Sequence, residues 1–187
     1  MKKDLVLPLP NELMVVFGPH SGTAMMLDLA ARLSLRGQLY ILDCGNRSNM
    51  YRVARALRPL TRDPAAMLKH IHLSRAFTCY QALSLLEKTE PTAGTPVLVL
   101  DLLATFLDES VQLEESAFLF KKAMARVLAI RQFSPVIVSA KPLLSISSPR
   151  MALLDQLKEQ SDQLWEEMAL YPGVPARSPQ LSLFDGS

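Results

Sequence analysis

The chain has 187 residues, enough for one domain with a sizeable core, and 49% hydrophobic against 20% charged residues excludes a disordered protein. A net charge of +2 selects no partner class, and the two cysteines, Cys44 and Cys79, exclude a disulfide framework and lack metal-ligand spacing, so they read as reduced thiols of a cytoplasmic protein. No run reaches the roughly 18 apolar residues of a membrane span, and the residues before Pro8 are too few for a signal peptide.

Residues 13–17 (LMVVF) predict a buried strand, residues 18–22 (GPHSG) a tight turn, and residues 23–35 an amphipathic helix that Gly37 ends. Strand, glycine turn and helix are also the local context of a phosphate-binding loop. Such a loop needs a lysine for the outer phosphates and a hydroxyl for Mg²⁺. Here Gly18 and Gly22 stand one residue too close, and Thr23 and Ala24 occupy the two chemical positions. An ordinary strand-turn-helix corner fits the same residues.

Residues 38–43 (QLYILD) predict a second buried strand ending in Asp43, residues 46–49 a capping turn, and residues 51–57 a short helix. From Arg32 to Lys69 there are eight basic residues against two acids, Asp43 and Asp63. Within that region Arg47, Arg52, Arg55, Arg58 and Arg62 predict either a DNA-facing phosphate stripe, with salt-dependent and sequence-independent affinity, or a solvated helix face.

Residues 69–73 (KHIHL) predict a third strand, residues 78–88 a helix, and residues 90–96 a Pro- and Gly-containing loop. Residues 97–101 (VLVLD) have the continuous apolar run of a strand buried on both faces. Its terminal Asp101 reads, on its own, as a helix cap or loop carboxylate at a strand end. A long helix over residues 112–132, a strand over residues 135–139 (PVIVS) and an amphipathic helix over residues 151–170 complete the domain. Strands alternating with helices predict an α/β domain spanning residues 1–170, with a mainly parallel β-sheet flanked by helices on both faces. His20, His70 and His72 show no triad or metal spacing, so neither a catalytic group nor a metal site is expected.

Residues 171–187 are Pro-rich and polar and predict a flexible tail. Near its end Gln180, Leu181, Ser182, Leu183 and Phe184 form an apolar run with no neighbouring sequence to help bury it. Such a run suits docking into a preformed groove, with Leu183 and Phe184 as anchors and Gln180 supplying hydrogen bonds; folding back onto the domain is the other reading.

Residues 13–142 together resemble the ATPase core of RecA-like recombinases, a P-loop domain. Gly18 to Gly22 resemble its phosphate loop, and residues 97–101 resemble its Walker B strand with Asp101 as the Mg²⁺-directing acid. Residues 71–78 (IHLSRAFT) resemble the segment opening a helix, and residues 136–139 the strand that senses the γ-phosphate. The departures fall on catalytic positions. Thr23 and Ala24 replace the Lys and hydroxyl, Gly45 stands where the family places its water-activating Glu, and Ala140 or Lys141 replaces the sensing polar residue.

The resemblance therefore implies a degenerate member with no appreciable ATP hydrolysis. It leaves room for ATP as a bound cofactor, held through the backbone N–H groups of Gly18, Ser21, Gly22 and Thr23 together with Asp101. Residues 180–184 resemble the bacterial sliding-clamp-binding pentapeptide at every position. The combined plan is similar to RecA-like mutagenesis accessory proteins of the ImuA type, which work beside an error-prone polymerase. It implies a non-enzymatic, cytoplasmic, nucleoid-associated accessory in DNA repair, recombination or translesion synthesis. The implied partners are the bacterial sliding clamp, DNA, and a polymerase or recombinase subunit. A slow DNA-dependent ATPase and a paralogue that caps recombinase filaments are the alternatives.

Overall fold

The computed structural model describes residues 8, 9, 11–141 and 149–166, so the expected clamp peptide at residues 180–184 lies outside the described residues. Within them, β1 (Leu13–Phe17), β2 (Leu39–Asp43), β3 (Ile71–Arg75), β4 (Val97–Leu100), β5 (Val136–Ala140) and β6 (Gln163–Glu166) form one sheet. Their order is β3-β2-β4-β5-β1-β6, and every pairing is parallel. Every residue of β1, β4 and β5 is buried, as expected of continuous apolar runs covered on both sides.

Six helices provide the cover: α1 (Thr23–Ser34), α2 (Met50–Leu57), α3 (Pro64–Leu68), α4 (Cys79–Lys88), α5 (Leu113–Arg131) and α6 (Met151–Glu159). The period-2 alternation of each strand divides the core in two. Met14, Val16, Leu39, Ile41, Leu98 and Ile137 pack under α1, α2 and α3, whereas Leu13, Val15, Val97, Val99, Val136 and Val138 pack under α4, α5 and α6. The expected α/β architecture with helices on both faces is therefore present.

Local chemistry sets the helix starts. The Asn49 side chain accepts from the amides of Tyr51 and Arg52, Asp63 accepts from Ala66, and Thr78 accepts from Gln81. The Asp63–Pro64 start produces α3, which the sequence reading passed over, and it moves the third strand two residues later, from 69–73 to Ile71–Arg75.

The predicted helix over residues 151–170 is corrected as well. It ends at Glu159, and Gln163–Glu166 form β6 instead. Tertiary pairing overrides helical periodicity here, because β1 would otherwise present an open row of backbone donors and acceptors. Asp162 anchors the junction. Its N–H donates to Leu13 O at 2.9 Å, and its carboxylate accepts the Leu13 N–H at 2.7 Å and pairs with Arg131. Trp165 of β6 then packs against the core beneath α1. Among the described residues no helix is long and apolar enough to cross a membrane.

Asp162→Ala removes the acceptor of a strand-end amide and the partner of Arg131. Urea denaturation should show a loss of roughly 1–3 kcal/mol, against almost none for Glu159→Ala on the exposed last turn of α6.

Candidate functional site

In a parallel sheet the loops after the strands share one edge, and that carboxyl edge is where such folds place ligands. Here it collects the turn after β1, the loop of residues 43–49 after β2, Asp101 after β4, and Ser139 near the end of β5.

The turn after β1 is a 3₁₀ segment, Pro19–Gly22, in which His20, Ser21 and Gly22 all have positive φ, at 55°, 59° and 58°. Two consecutive non-glycine residues in the left-handed region carry on the order of 1–2 kcal/mol of strain each. Gly22 is required twice over, since a Cβ there would lie 2.8 Å from the Val16 side chain. Two of the four amides suited to an anion are engaged inside the turn, Ser21 N–H donating to Gly18 O and Thr23 N–H to His20 O. The Thr23 hydroxyl also donates to His20 O. Ser21 is fully buried, and among the described residues its hydroxyl has no hydrogen-bond partner.

Across the edge, the two strand-end acids are held by arginines. Asp43 is completely buried; one carboxylate oxygen accepts the Arg47 N–H at 2.8 Å, and the other accepts the Ser48 N–H at 2.8 Å and the Ser48 hydroxyl. Arg75, from the end of β3, lies 3.5 Å from the same oxygen and donates to Ser48 Oγ and Ser48 O.

Asp101, 2% exposed, takes a left-handed conformation (φ 52°, ψ 52°) and donates its N–H to Ser139 Oγ at 3.1 Å. Its carboxylate makes no capping bond to the 3₁₀ turn that follows, contrary to the capping reading. It accepts Arg47 Nε at 3.0 Å instead. Gly45 explains how the two loops approach: a Cβ on it would sit 2.5 Å from Asp101 Cβ and 2.7 Å from Asp101 Oδ2. The position read as a missing glutamate therefore has no room for any side chain while Asp101 keeps this conformation. Lys141 is exposed, and among the described residues it joins no ion pair.

The sequence reading did not pair Arg47 with Asp101, or Arg75 and Ser48 with Asp43. The signal available was an acid closing each of two fully apolar strands, which forces a buried carboxylate to find cations nearby. Cys44, next in the chain after Asp43 and buried in the core, has its thiol pushed up to about 12 by burial first and then by the charges of Asp43 and Asp101.

The five arginines read as a stripe divide into three groups. Arg47 is turned to Asp101. Arg52 makes a two-pronged contact with Asp28 of α1, at 3.2 and 2.9 Å. Arg55, Arg58 and Arg62 are exposed, and among the described residues they join no ion pair. An open cleft of about 550 Å³ lies beside α2, lined by Asp28, Asn49, Tyr51, Arg52, Arg55 and Ala56. His70 and His72 are held by Ser34 O and Gln38 Oε1, and His20 is exposed. No protein-family model and no curated protein sequence matches the chain.

Two outcomes follow from this geometry. Gly45→Ala forces a Cβ into Asp101 and should lower stability by about 2–4 kcal/mol; Asp101→Gly, which removes the obstructing atoms and the left-handed strain, should restore part of that loss. Denaturation of the two single variants and the double variant reads the coupling.

The Cys44 thiol titrates near 9.0 when unfolded and near 12 when folded, so the folded state binds the extra proton between those values. Stability should therefore fall as pH rises above 9, by up to about 1.4 kcal/mol per unit. Cys44→Ala should flatten that part of the urea-midpoint profile.

Proposed function

We propose that this chain is a RecA-like, non-catalytic accessory protein of bacterial DNA repair, recombination or translesion synthesis, tethered to the sliding clamp through Gln180, Leu181, Ser182, Leu183 and Phe184. The Arg47–Asp101 pair carries the non-catalytic part of this reading. Phosphoryl transfer depends on positioning and on neutralising phosphate charge, with a carboxylate free to direct a metal ion. Here the one surviving acid of that set holds a guanidinium, the neighbouring backbone at Gly45 excludes a glutamate, and the hydroxyl of Thr23 is turned onto its own loop.

The RecA-like part is supported by the coarse architecture. A glycine turn after β1, an acid after β4 and a polar residue on β5 meet at one carboxyl edge of a parallel sheet, as that reading requires. Residual ATP binding, in this reading, uses what remains of the turn at Gly18, Ser21, Gly22 and Thr23. DNA contact falls to Arg55, Arg58 and Arg62, with Arg52 joining if its bond to Asp28 opens. The clamp part rests on the sequence of residues 180–184 alone. In this reading the protein works in the cytoplasm at the nucleoid, beside a polymerase or recombinase subunit.

Surface plasmon resonance of the intact protein over an immobilised bacterial sliding clamp tests the tether. Binding on the order of micromolar is expected, with a loss of roughly ten-fold or more in the Leu183→Ala/Phe184→Ala variant. Equal binding by the two proteins would remove the tether from the proposal. ATP turnover that disappears in Asp101→Ala would replace the non-catalytic reading with the slow ATPase.

A further inference from the structure

The outer face of α5 carries a pattern that nothing at the carboxyl edge uses. Its exposed residues include Glu114, Glu115, Phe118, Lys121 and Lys122, which lie at helical spacing along one stripe. Phe118 is 58% exposed in the middle of these charges. Phe77 and Tyr80, at the start of α4, are 65% and 49% exposed, and the Tyr80 hydroxyl donates to Glu115 Oε1 at 2.6 Å, which joins α4 to the stripe. The Lys122 ammonium lies 4.6 Å from the Phe118 ring centre.

Among the described residues none of the two glutamates and two lysines belongs to an ion pair. They cannot pair along the helix, because Glu114 and Lys121 are two turns apart, about 10 Å along the axis. Measured from Phe118, the acids stand three and four residues before and the lysines three and four residues after. The stripe is a palindrome with its charge inverted. An antiparallel copy of the same helix, with Phe118 on the two-fold axis, brings the acids of each copy against the lysines of the other, Glu114 beside Lys121 and Glu115 beside Lys122, each pair occurring twice. A parallel copy instead brings acid against acid and lysine against lysine.

We propose that two copies of this chain associate through α5 as an antiparallel, two-fold pair centred on Phe118, with Phe77 and Tyr80 at its rim. The contact is isologous, so it closes at two copies. It covers the exposed aromatic cluster, and its four inter-chain charge pairs fix both direction and register. The basic face of α2 lies on the other side of the sheet and stays uncovered. This assignment stands apart from the clamp and nucleotide readings, and its test does not depend on them. One helix stripe with two flanking aromatics is smaller than the roughly 1,600 Å² of a standard interface, so the dimer is weak, with a midpoint of about 10–100 µM.

Sedimentation velocity of the full chain from about 1 to about 300 µM should show a monomer passing to a dimer and no larger species. Lys121→Glu/Lys122→Glu leaves four acids on the stripe, and Glu114→Lys/Glu115→Lys leaves four lysines; each variant should stay monomeric throughout. Their equimolar mixture should recover a dimer holding one copy of each. Phe118→Cys puts a thiol on the axis and should crosslink under mild oxidation, while Cys44 and Cys79 are buried. Circular dichroism and thermal melting confirm that these surface variants fold. A wild-type chain monomeric to 300 µM, a dimer indifferent to both charge reversals, or assembly that continues past two copies overturns the proposal.

Discussion

Two carboxylates at the end of an apolar sheet, Asp43 and Asp101, set the terms for everything around them. A buried carboxylate left unpaired costs several kcal/mol, so the loops beyond β2, β3 and β4 are shaped to deliver compensation. Arg47 turns inward to Asp101, Arg75 reaches across Ser48 toward Asp43, and the residue 47 and 48 amides close on the same group. The loop that makes these bonds must turn sharply, and Asn46 does so at φ 53°. One residue past Ser48, Asn49 caps α2. The charge network thus also fixes where the first exposed arginines of that helix appear.

The two sides of the sheet have different characters. The α1–α3 side carries a local excess of positive charge that the rest of the chain offsets, and Asp28 pairs with Arg52. The α4–α6 side mixes both signs, and its exposed aromatic residues include Phe77, Tyr80 and Phe118, in a chain where aromatics are 6%. A composition this poor in aromatics makes three of them on one surface a feature in need of a partner, not background.

Much of the architecture was legible in the sequence because burial on both faces leaves an unambiguous trace. The runs at 13–17, 97–100 and 136–139 have no polar interruption before Ser139, and each is a strand of the sheet. Glycine, proline and capping residues placed most of the helices within a residue or two. The misses have a common cause, which is that they depend on partners distant in the chain. Residues 163–166 have helical neighbours and become a strand only because β1 is open beside them. Arg47 looked like one member of a basic stripe, and its true partner is Asp101, 54 residues away. Gly45 looked like a lost catalytic residue, although the approach of Asp101 is a sufficient reason for glycine. The charge palindrome on α5 was present in the sequence, but its meaning needed the knowledge that Phe118 faces outward.

The placement of β1 has a consequence for how the chain acquires its shape during synthesis. This strand is made first, and both of its neighbours are made late: Leu13 pairs with Val136, and Met14 with Gln163. A fully apolar segment must therefore wait, without its sheet partners, while nearly the whole of the domain leaves the ribosome. Local contacts between α1 and α2 and the pairing of β2 with β3 and then β4 can form meanwhile. Insertion of β5 between β4 and β1 then joins the early half of the sheet to its oldest strand, and the pairing of β6 on the far side of β1 comes after it.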